Sequence, residues 1–536
     1  MLLTFPAVFL LFFTNVQTMW LASASGESAK MLRKVREMFY FGYDNYMKYA
    51  YPEDELDPVH CRGRGHDFTD RTNININDVL GNYQLTLVDS LDSLAVFGNA
   101  TEFKRAVNLI TKSLSFNKDT IVQVFEANIR IVGGLLSAHL LITDPHKRFG
   151  ELRPENYNDE LLYLAKNLSD RLLIAFKGSP TGIPFPRIHL GWRSVETLGK
   201  QHSCLAGAGT LLLEMGTLSL LLQEPLYASL ARKAIISLWN HRSRSTGLLG
   251  TDINVYTGQW INPTSGVGAG QDSFYEYLLK GGILFGDTEL SQIFEEVLGS
   301  MRLRLRGNSS ANNCVSSNGY PSVYWNINMF TGELANYWVD TLQSVWPGIL
   351  AMNGELQDAK CQYELHLSIW KRFGLPPERF NIFLNKPELA FFPLRPEFAE
   401  STYYLYRATK DPVYRTIGAM IVNNLDQYAR AKCGFATIHD VKDMSHEDRM
   451  ESFFLSETLK YLYLLFDETH PLNVFEEDYL FTTQAHILPI SRLRQLAKTL
   501  PNSPFKDAQF VRKPASVGDL APKYFTNQLL LPFLSC

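Results

Sequence analysis

An apolar segment in the first third of the chain reads Ile121-Val-Gln-Val-Phe-Glu-Ala-Asn-Ile-Arg-Ile-Val-Gly-Gly-Leu-Leu-Ser-Ala-His-Leu-Leu-Ile142. Its apolar residues recur every three or four positions, which is the spacing of a helix that packs against a core. Glu126 and Arg130 are the only charged residues in it. The segment therefore predicts a core helix that carries a carboxylate into apolar surroundings.

The same helical spacing returns along most of the chain, in Leu211–Leu222, Phe274–Phe285, Tyr403–Tyr406 with its continuation, and Phe453–Phe466. Short clusters rich in Gly, Pro, Asn and Asp separate these segments, and alternating strand patterns are scarce. The span from about residue 30 to 470 therefore predicts an all-α fold without a composition break between domains. Its length corresponds to about seven helical hairpins of roughly 60 residues, which could stack in an open array or close into a toroid.

Composition excludes several broad classes of protein. Of the 536 residues, 46% are hydrophobic and 20% charged, which is the balance of a globular chain rather than a disordered one. The net charge of −4 offers no basic surplus, so a nucleic-acid partner is not expected. The GxxxxGK[ST], GxGxxG, GxSxG and HExxH motifs are absent, which argues against the common nucleotide-binding, serine-hydrolase and zinc-peptidase sites.

The two ends of the chain differ from the helical span. Leu2–Phe13 is mostly apolar but short for a bilayer crossing, and Ala22-Ser-Ala24 offers the small residues that a signal peptidase reads. We therefore interpret residues 1–24 as a secretory signal peptide, with an uncleaved signal anchor as the alternative. Beyond Ile490 the helical pattern loosens, and we expect residues 491–536 to form a partly disordered C-terminal tail.

The six cysteines and three glycosylation sequons fit an oxidising lumen. No CxxC pair occurs, so structural disulfides are favoured over zinc or redox sites. Six cysteines allow 15 pairings, and their spacing does not choose among them. Asn99, Asn167 and Asn308 each begin an Asn-X-Ser/Thr triplet and are candidate glycosylation sites.

Several carboxylates lie on apolar helical faces. Glu126 could form a surface ion pair with Arg130 four residues later, or it could be a buried general acid whose pKa is raised by its apolar neighbours. Glu214 and Glu457 share helical faces with leucine and aromatic residues. A carboxylate on a core face is costly unless it is paired, hydrogen-bonded or near a metal ion, so several of them indicate an acidic pocket.

Asp272 follows the glycine-rich loop Gly266–Gly270. Ser273-Phe-Tyr-Glu276 reads as a capping box, so a role in starting a helix is one interpretation of this segment. The other interpretation places Asp272 at the mouth of a cavity, where glycines let a substrate approach the backbone.

A second helix start is predicted at Leu394-Arg-Pro-Glu-Phe-Ala-Glu400, with Pro396 in the first turn. Glu397 and Glu400 would then share one face near the positive end of the helix dipole. Dipole complementarity explains one acid, whereas two acids beside Arg395 could also bind sugar hydroxyls or water.

The last apolar passage, Tyr479–His486, reads as a strand. Thr483 offers a hydroxyl and a carbonyl oxygen, which are hard ligands suited to calcium, although this signal alone is weak. We interpret His486 as structural rather than catalytic.

Taken together, these segments resemble glycoside hydrolase family 47, the α1,2-mannosidases. The resemblance covers residues 30–490, with its motifs in family order. Within the family, Cys61-Arg-Gly-Arg-Gly65 and Asn75–Tyr83 resemble the ER degradation-enhancing alpha-mannosidase-like group. The motifs that match the family are Leu85–Asp92, Val124–Arg130, Asp272–Lys280, Leu394–Glu397, Arg449–Leu462 and Phe481–Thr483.

The resemblance implies an (α/α)7 barrel over residues 30–490, closed by a C-terminal β-hairpin. It implies calcium-dependent, inverting hydrolysis of terminal α1,2-mannose from Asn-linked high-mannose glycans. By motif match, Glu126 is the general acid, Glu397 the general base, Asp272 a third essential acid and Thr483 the direct calcium ligand. The remaining matches line the sugar or the water shell of calcium: Arg130, Glu214, Arg395, Glu400, Phe453 and Glu457.

The chain departs from the family pattern at two positions. Gln484 stands where the family usually has Glu, which removes a negative charge from the outer calcium shell and predicts weaker calcium binding. Ile487 stands where many relatives have Pro, and we expect this difference to change only local packing. The favoured disulfide is Cys61–Cys433.

The resemblance also implies a setting and partners. We expect the chain in the lumen of the endoplasmic reticulum, acting on misfolded N-glycosylated proteins. Luminal oxidoreductases of the protein disulfide isomerase type and the disposal machinery at the membrane are the implied partners. The alternative is a lectin-like receptor that binds the same glycoproteins for disposal without cleaving their glycans.

Overall fold

The computed structural model describes residues 6–195, 201–306, 314 and 322–505, with side chains from residue 26 onward. The described chain is mostly helical. Its α-helices are α1 (Pro6–Tyr49), α2 (Ile74–Asn77), α3 (Leu85–Asp89), α4 (Leu91–Val96), α5 (Ala100–Ser113), α6 (Val124–Glu126), α7 (Gly133–Ile142), α8 (Glu160–Leu172), α9 (Leu205–Gly209), α10 (Leu212–Leu222), α11 (Leu226–Asn240), α12 (Asp272–Phe285), α13 (Thr288–Arg304), α14 (Trp346–Met352), α15 (Leu356–Phe373), α16 (Glu397–Thr409), α17 (Val413–Asn424), α18 (Leu459–Phe466), α19 (Pro471–Val474) and α20 (Ile490–Ala497).

Seven of these helices form a closed inner ring in the described chain. Each contacts the next, and the π-helical turn Phe454–Thr458, which leads into the last of them, contacts the first. Each inner helix also packs against one outer helix, so the ring consists of seven pairs. The helical hairpins therefore close into a toroid, and an open array of hairpins is excluded. The pairs, inner helix first, are α4 with α5, α7 with α8, α10 with α11, α12 with α13, α14 with α15, α16 with α17, and α18 with α1.

Burial explains the two kinds of helical pattern. The outer helix α5 buries Phe103, Ala106, Val107 and Ile110, which lie on one helical face. The inner helix α7 is buried along its whole length. The longer segment Val124–Ile142, which includes α7, is apolar enough for a membrane span, yet 89% of it is buried inside the protein, so its apolar character follows from contacts on all sides.

The connections differ at the two ends of the ring. Most turns from an inner helix to its outer partner are short, such as 223–225 after α10 and 286–287 after α12, whereas the longer segment 143–159 joins α7 to α8. Returns from an outer helix to the next inner helix are long and contain most of the strands. The N-terminal ends of the inner helices therefore share one end of the ring with these long connections.

The strands are numerous but have only two to four residues each, which is why the sequence shows little alternation. They form antiparallel sheets of two or three strands. Their bounds are β1 (Glu55–Asp57), β2 (Arg62–Arg64), β3 (Ile121–Gln123), β4 (Arg187–His189), β5 (Ser194–Val195), β6 (His202–Cys204), β7 (Asp252–Asn254), β8 (Trp260–Asn262), β9 (Thr264–Ser265), β10 (Ile327–Asn328), β11 (Trp338–Asp340), β12 (Arg379–Asn381), β13 (Lys386–Leu389), β14 (Thr437–Asp440), β15 (Ser445–Glu447), β16 (Tyr479–Phe481) and β17 (Ile487–Pro489).

The last two strands pair as an antiparallel hairpin. Its turn spans residues 482–486, with Ala485 in the left-handed region at φ 55°. Helix α20 then packs against α10 and α12, so the ordered chain continues past the predicted boundary at residue 490. The rest of the predicted tail, from residue 506, lies outside the described residues.

The predicted disulfide Cys61–Cys433 is confirmed, with its Cα atoms 5.6 Å apart. It joins residues 372 positions apart in sequence. A second bridge joins Cys314 and Cys361. Cys536 lies outside the described part of the chain.

The sequons remain predictions. Asn99 caps the N-terminus of α5 by accepting a hydrogen bond from the Glu102 N–H, and Asn167 is exposed on α8. Asn308 lies outside the described residues.

Candidate active site

A cavity of about 460 Å³ lies within the ring. The residues that line it include every predicted catalytic, sugar-binding and metal-binding residue except Glu214. They come from motifs that are hundreds of positions apart in sequence, so the ring itself assembles the site. The predicted residues that line the cavity are Glu126, Arg130, Asp272, Arg395, Glu397, Glu400, Phe453, Glu457 and Thr483.

The three predicted catalytic acids lie in the first turn of helical segments. Asp272 and Glu397 are the first residues of α12 and α16. Glu126 is the last residue of the short helix α6, which continues through the π-helical turn Ala127–Val132 into α7. All three therefore lie at the end of the ring that carries the long connections. A helix N-terminus also stabilises negative charge, which suits carboxylates there.

The predicted capping box of α12 is wrong. The helix begins at Asp272, one residue before Ser273, so Ser273 is inside the first turn. The Ser273 hydroxyl contacts Thr210 Oγ1 at 2.9 Å. Glu276 instead pairs with Lys280 one turn later, both being buried. The Glu276 carboxylate therefore binds Lys280 and does not cap the N-terminus of α12.

Both interpretations of Glu126 hold in part. Its Oε2 accepts a hydrogen bond from Arg130 Nε at 2.7 Å, so the i,i+4 ion pair exists, but it lies in the cavity instead of on the surface. Arg130 Nη1 also donates to Ser452 Oγ at 3.1 Å. The guanidinium lies 5.4 Å from the ring centre of Phe453. Glu126 is thus held in place by a buried cation.

Glu397 has a different environment. Arg395 donates to both carboxylate oxygens of Glu378, at 2.6 and 3.2 Å, and not to Glu397. Glu397 Oε2 is buried and has no hydrogen-bond partner among the described residues. Burial raises the pKa of Glu397 to about 8, although the positive charge of Arg395 opposes the rise. One carboxyl oxygen of Glu397 is therefore buried without a hydrogen-bond partner in the described chain.

The backbone before this helix is strained. Leu394 is fully buried and adopts φ 63°, in the left-handed region that costs an ordinary side chain roughly 1–2 kcal/mol. Its carbonyl accepts a hydrogen bond from Thr458 Oγ1 at 2.9 Å. The strained residue directly precedes Arg395, so the fold maintains an unfavourable conformation where it places a cavity residue.

Asp272 is half-buried, and the acids Asp340 and Glu276 lie near it. Its Oδ1 accepts a hydrogen bond from the Ser273 N–H at 2.8 Å. Burial raises the pKa of Asp272 to about 8, and the charges of Asp340 and Glu276 add to the rise. This carboxyl therefore tends to keep its proton near neutral pH.

The cavity lining contains more acidic than basic residues. Lys280 pairs with Glu276 and lies 3.7 Å from Glu400. Burial raises the pKa of Glu400 to about 8. Burial also raises the pKa of Glu457 well above its ordinary value, with Glu397, Glu400 and Asp89 adding repulsion. A bound cation would offset this repulsion.

Glu214 is the one predicted sugar- or calcium-shell residue that does not line the cavity. It is buried behind the cavity wall, where it accepts hydrogen bonds from Asn128 Nδ2 at 2.8 Å and from the Tyr277 hydroxyl. The Thr483 N–H lies 3.4 Å from the same hydroxyl oxygen. Glu214 therefore contacts the Thr483 segment through Tyr277. Burial raises the pKa of Glu214 to about 7.

A buried ionic network beneath the cavity was missed in the sequence. Lys460 Nζ donates to Asp92 Oδ1 and to the Ala485 carbonyl, each at 2.7 Å. His486 Nδ1 lies 3.1 Å from Asp92 Oδ2, and its Nε2 lies 3.2 Å from Asp89 Oδ1. These side chains are fully buried. They fasten the turn of the C-terminal hairpin to α3, α4 and α18, which supports the structural interpretation of His486.

Ile487 contributes to the same network through its backbone. Its N–H donates to Ser137 Oγ at 3.0 Å and lies 3.3 Å from Asp92 Oδ2. A proline has no N–H to donate. The expectation that this position affects packing alone is therefore wrong, because it also supplies a hydrogen bond.

The oxygen groups around Thr483 suit a hard divalent cation. No group of three or more His, Cys, Asp or Glu residues is arranged to hold a metal ion within the described ranges. Any bound cation would thus depend on few direct protein ligands and on water. The half-buried Thr483, the unpartnered Glu397 Oε2 and the crowded carboxylates of Glu400 and Glu457 fit that arrangement.

Comparison with known proteins gives consistent matches. A family model described as Glycosyl hydrolase family 47 matches residues 38–490. The ER degradation-enhancing alpha-mannosidase-like protein 1 of Schizosaccharomyces pombe is 43% identical over 473 residues, which cover 88% of this chain and 58% of that protein. The human ER degradation-enhancing alpha-mannosidase-like protein 3 is 41% identical over 485 residues, which cover 89% of this chain and 50% of that protein. The chain thus spans little more than half of these relatives.

Among solved structures, an alpha-1,2-mannosidase from Trichoderma reesei superposes with a TM-score of 0.74 at 23% identity. The match covers 86% of this chain and 99% of that one. At this identity, the likeness concerns the fold, and it agrees with the ring of seven helical pairs.

Proposed function

The chain belongs to glycosyl hydrolase family 47, and from that membership we propose that it hydrolyses terminal α1,2-linked mannose of Asn-linked high-mannose glycans with inversion. The observation that carries the proposal is that Glu126, Asp272 and Glu397 line one cavity together with Thr483. Inverting hydrolysis needs one carboxyl that donates a proton and one carboxylate that accepts one, with room for water between them.

In the proposed reaction, Glu126 is the general acid and Glu397 the general base, whose raised pKa a bound cation would lower so that the carboxyl is ionised. Glu397 accepts a proton from a water molecule whose oxygen forms the new bond to the anomeric carbon. The bond from that carbon to the glycosidic oxygen breaks on the opposite face, and Glu126 protonates the leaving oxygen. Arg130 pairs with Glu126 in the free protein and fixes the direction of its carboxyl group.

Asp272 has a distinct part in this proposal. Its carboxyl lines the same cavity, where it would hydrogen-bond a sugar hydroxyl or a water molecule. Phe453, whose ring centre lies 5.4 Å from the Arg130 guanidinium and 5.7 Å from that of Arg395, would offer an apolar surface to the sugar ring. These residues orient the substrate between the acid and the base.

Calcium completes the proposal. When bound, it would hold sugar hydroxyls and polarise a coordinated water molecule. Thr483 would be its direct protein ligand, and Glu397, Glu400 and Glu457 would accept hydrogen bonds from its water shell. Burial raises the pKa values of these acids and neighbouring carboxylates add to the rise, and this crowding of acids supports the assignment.

The cellular setting belongs to the same proposal. The names of the relatives refer to ER degradation, so we place the chain in the lumen of the endoplasmic reticulum with misfolded N-glycosylated proteins as substrates. Luminal disulfide isomerase-type oxidoreductases and the membrane disposal machinery are proposed partners. Residues 1–24 remain the predicted signal peptide.

A glycan assay tests the proposed activity. We expect the chain to release mannose from a free Man9 oligosaccharide in the presence of calcium and to lose this activity in excess chelator, with recovery on adding calcium. The products are followed by chromatography. Glycan binding without mannose release would support the lectin-like alternative, and release that is insensitive to chelator would reject the calcium assignment.

Replacing Gln484 by Glu is expected to tighten calcium binding about tenfold, since a nearby negative charge favours a cation. Gln484 is buried, lines the cavity and has Nε2 3.4 Å from Asp89 Oδ2. Without calcium, the new carboxylate would repel Asp89, so the variant should be less stable until the ion binds. Calorimetric titration with calcium measures the change, and Gln484→Met is the uncharged control. Equal affinities in the parent chain and Gln484→Glu would contradict this prediction.

A further inference from the structure

Each proposed catalytic glutamate has an arginine nearby, but only one of the two pairs with it. Arg130 Nε donates to Glu126 Oε2 at 2.7 Å. Arg395 instead pairs with Glu378 and forms no ion pair with Glu397 in the described chain. Both arginines line the cavity. The proposed acid is thus ion-paired and the proposed base is not, and Glu378 is the residue that sets them apart.

Arg395 is close enough to Glu397 to interact with it. It lies two residues before Glu397, which begins α16. Its positive charge opposes the rise that burial causes in the pKa of Glu397, so the guanidinium is within electrostatic range of the carboxyl. Oε2 of Glu397 has no hydrogen-bond partner among the described residues. A guanidinium has five N–H donors and favours carboxylates, so an unrestrained Arg395 would pair with this oxygen.

Glu378 binds that guanidinium instead. Arg395 Nη2 donates to Glu378 Oε1 at 2.6 Å, and its Nε donates to Oε2 at 3.2 Å, so both carboxylate oxygens are used. Glu378 is 7% exposed, and its burial strengthens the attraction between the two charges. A bidentate pair fixes the orientation of a guanidinium as well as its position. The guanidinium of Arg395 is therefore held toward Glu378 and not toward Glu397.

Backbone contacts fix both partners of this pair. The Glu378 N–H donates to the Phe391 carbonyl at 2.8 Å, and the Glu378 carbonyl accepts a hydrogen bond from the Thr341 N–H at 3.0 Å. Glu378 lies directly before β12 and lines the cavity. On the other side, the strained Leu394 directly precedes Arg395. The two charged side chains therefore extend from restrained backbone segments.

A base without an ion pair is chemically suited to its proposed task. A general base needs a free oxygen that can take a proton from water. A direct hydrogen bond from Arg395 would occupy that oxygen of Glu397 and would also remove it from the water shell of a cation. Pairing Arg395 with Glu378 keeps the positive charge in the cavity and leaves the carboxyl oxygen open.

We propose that Glu378 is a positioning residue that holds Arg395 away from Glu397 and so keeps the base available to water. This inference rests on the proposed function for the role of Glu397. Glu378 contacts neither the reacting atoms nor the cation in this scheme, and its effect is exerted through Arg395.

A crystal structure of the Glu378→Gln variant tests this arrangement directly. Glutamine keeps the length of the side chain but has one acceptor oxygen in place of two and no charge. We expect the Arg395 guanidinium to move to within about 3 Å of a Glu397 oxygen. Glu378→Met, which has no strong acceptor, provides the same test if the glutamine variant is not folded. Arg395 remaining beside residue 378 in the folded variants, with Glu397 still unpaired, would overturn the inference.

Calcium affinity and mannose release distinguish an effect through Arg395 from the loss of a charge. Glu378→Gln should weaken calcium binding and lower the turnover rate about tenfold each, but less than about threefold when Arg395→Met is already present. Calorimetric titration and mannose release at saturating glycan measure the two quantities. Asp78→Asn is the matched control, because Asp78 forms a buried bidentate pair with Arg187, with both contacts at 2.6 Å, outside the cavity lining. The control should lower the unfolding temperature and change neither quantity more than about twofold.

The outcomes separate this inference from the proposed function. Equal losses in the parent and Arg395→Met backgrounds would overturn the inference, because Glu378 would then act by its own charge. Movement of Arg395 onto Glu397 in a chain that neither binds calcium nor releases mannose would reject the proposed function and retain the arrangement of the three side chains. Unchanged hydrolysis of Man9 by Glu378→Gln, with calcium affinity also unchanged, would reject the positioning role alone.

Discussion

Glu126→Gln is expected to lower the turnover rate on Man9 oligosaccharide about 10²- to 10⁴-fold, the usual contribution of a general acid or base. Glutamine keeps the shape of the side chain but cannot donate a carboxylic proton to the leaving oxygen. The change also removes the ion pair with Arg130, whose second hydrogen bond to Ser452 remains. Loss of rate with retained glycan binding would therefore assign Glu126 to the chemical step.

The measurement is mannose release at saturating glycan in the presence of calcium. Glu397→Gln should lower the rate to a similar extent, because it removes the proposed base. Glu364→Gln is the matched control, since Glu364 is exposed on the outer helix α15. A rate within fivefold of the parent chain for Glu126→Gln would exclude this residue as the general acid.

Lys460→Met is expected to destabilise the protein by about 3–5 kcal/mol, the usual cost of removing one partner from a buried ion pair. Lys460 and Asp92 are both fully buried, and Lys460 also donates to the Ala485 carbonyl in the hairpin turn. In the variant, the buried Asp92 carboxylate loses the positive charge of Lys460. The turn that carries Thr483 loses the hydrogen bond from Lys460 to the Ala485 carbonyl. We therefore expect calcium binding to weaken together with the free energy of unfolding.

Urea unfolding measures this loss, with Lys371→Met on the exposed face of α15 as the control. A loss below about 1 kcal/mol would show that the network does not hold the hairpin in place. Calcium titration of the folded variant measures whether the position of the hairpin turn, in addition to the stability of the fold, depends on Lys460.

The same unfolding measurement should depend on pH through His486. Burial opposes the charged imidazolium, but Asp92 and Asp89 outweigh it and raise the pKa of His486 to about 9. A raised pKa stabilises the fold fully below the ordinary value of about 6.5, and this stabilisation is lost as the pH rises through about 9. The parent chain should therefore lose stability across that range, and His486→Gln should lose less across it. Asp92, whose pKa is lowered, contributes in the opposite range and loses its effect at acidic pH.

Much of the helical architecture could be predicted from residue spacing. The segments around Leu211–Leu222 and Phe274–Phe285 are helices within two residues of the predicted bounds, because burial on a helical face leaves a strong periodic signal. The segment at Ile121 begins with three residues of strand before its helix. Strands of two to four residues are too short to produce an alternating pattern, so the small sheets could not be predicted.

Several acidic residues of the cavity could be predicted from the sequence, whereas other residues that line it could not. Carboxylates such as Glu126 and Glu457 were visible because an acid on an apolar face is costly and needs a reason. Glu214 has the same pattern, yet it supports Tyr277 behind the wall, since periodicity shows that a face is buried but not what it contacts. Glu378 and Arg379 line the cavity from the long connection before α16, and no local pattern marks them.

The sequence alone determined that this is a helical chain with acids on buried faces, since helix periodicity and the cost of a buried charge are local properties. Tertiary structure alone decided that the helices close into a ring, that Lys460 and His486 fasten the hairpin turn, and that Glu378 pairs with Arg395 in the cavity. These features depend on contacts between residues far apart along the chain. Their positions in space, not their neighbours in sequence, determine what they touch.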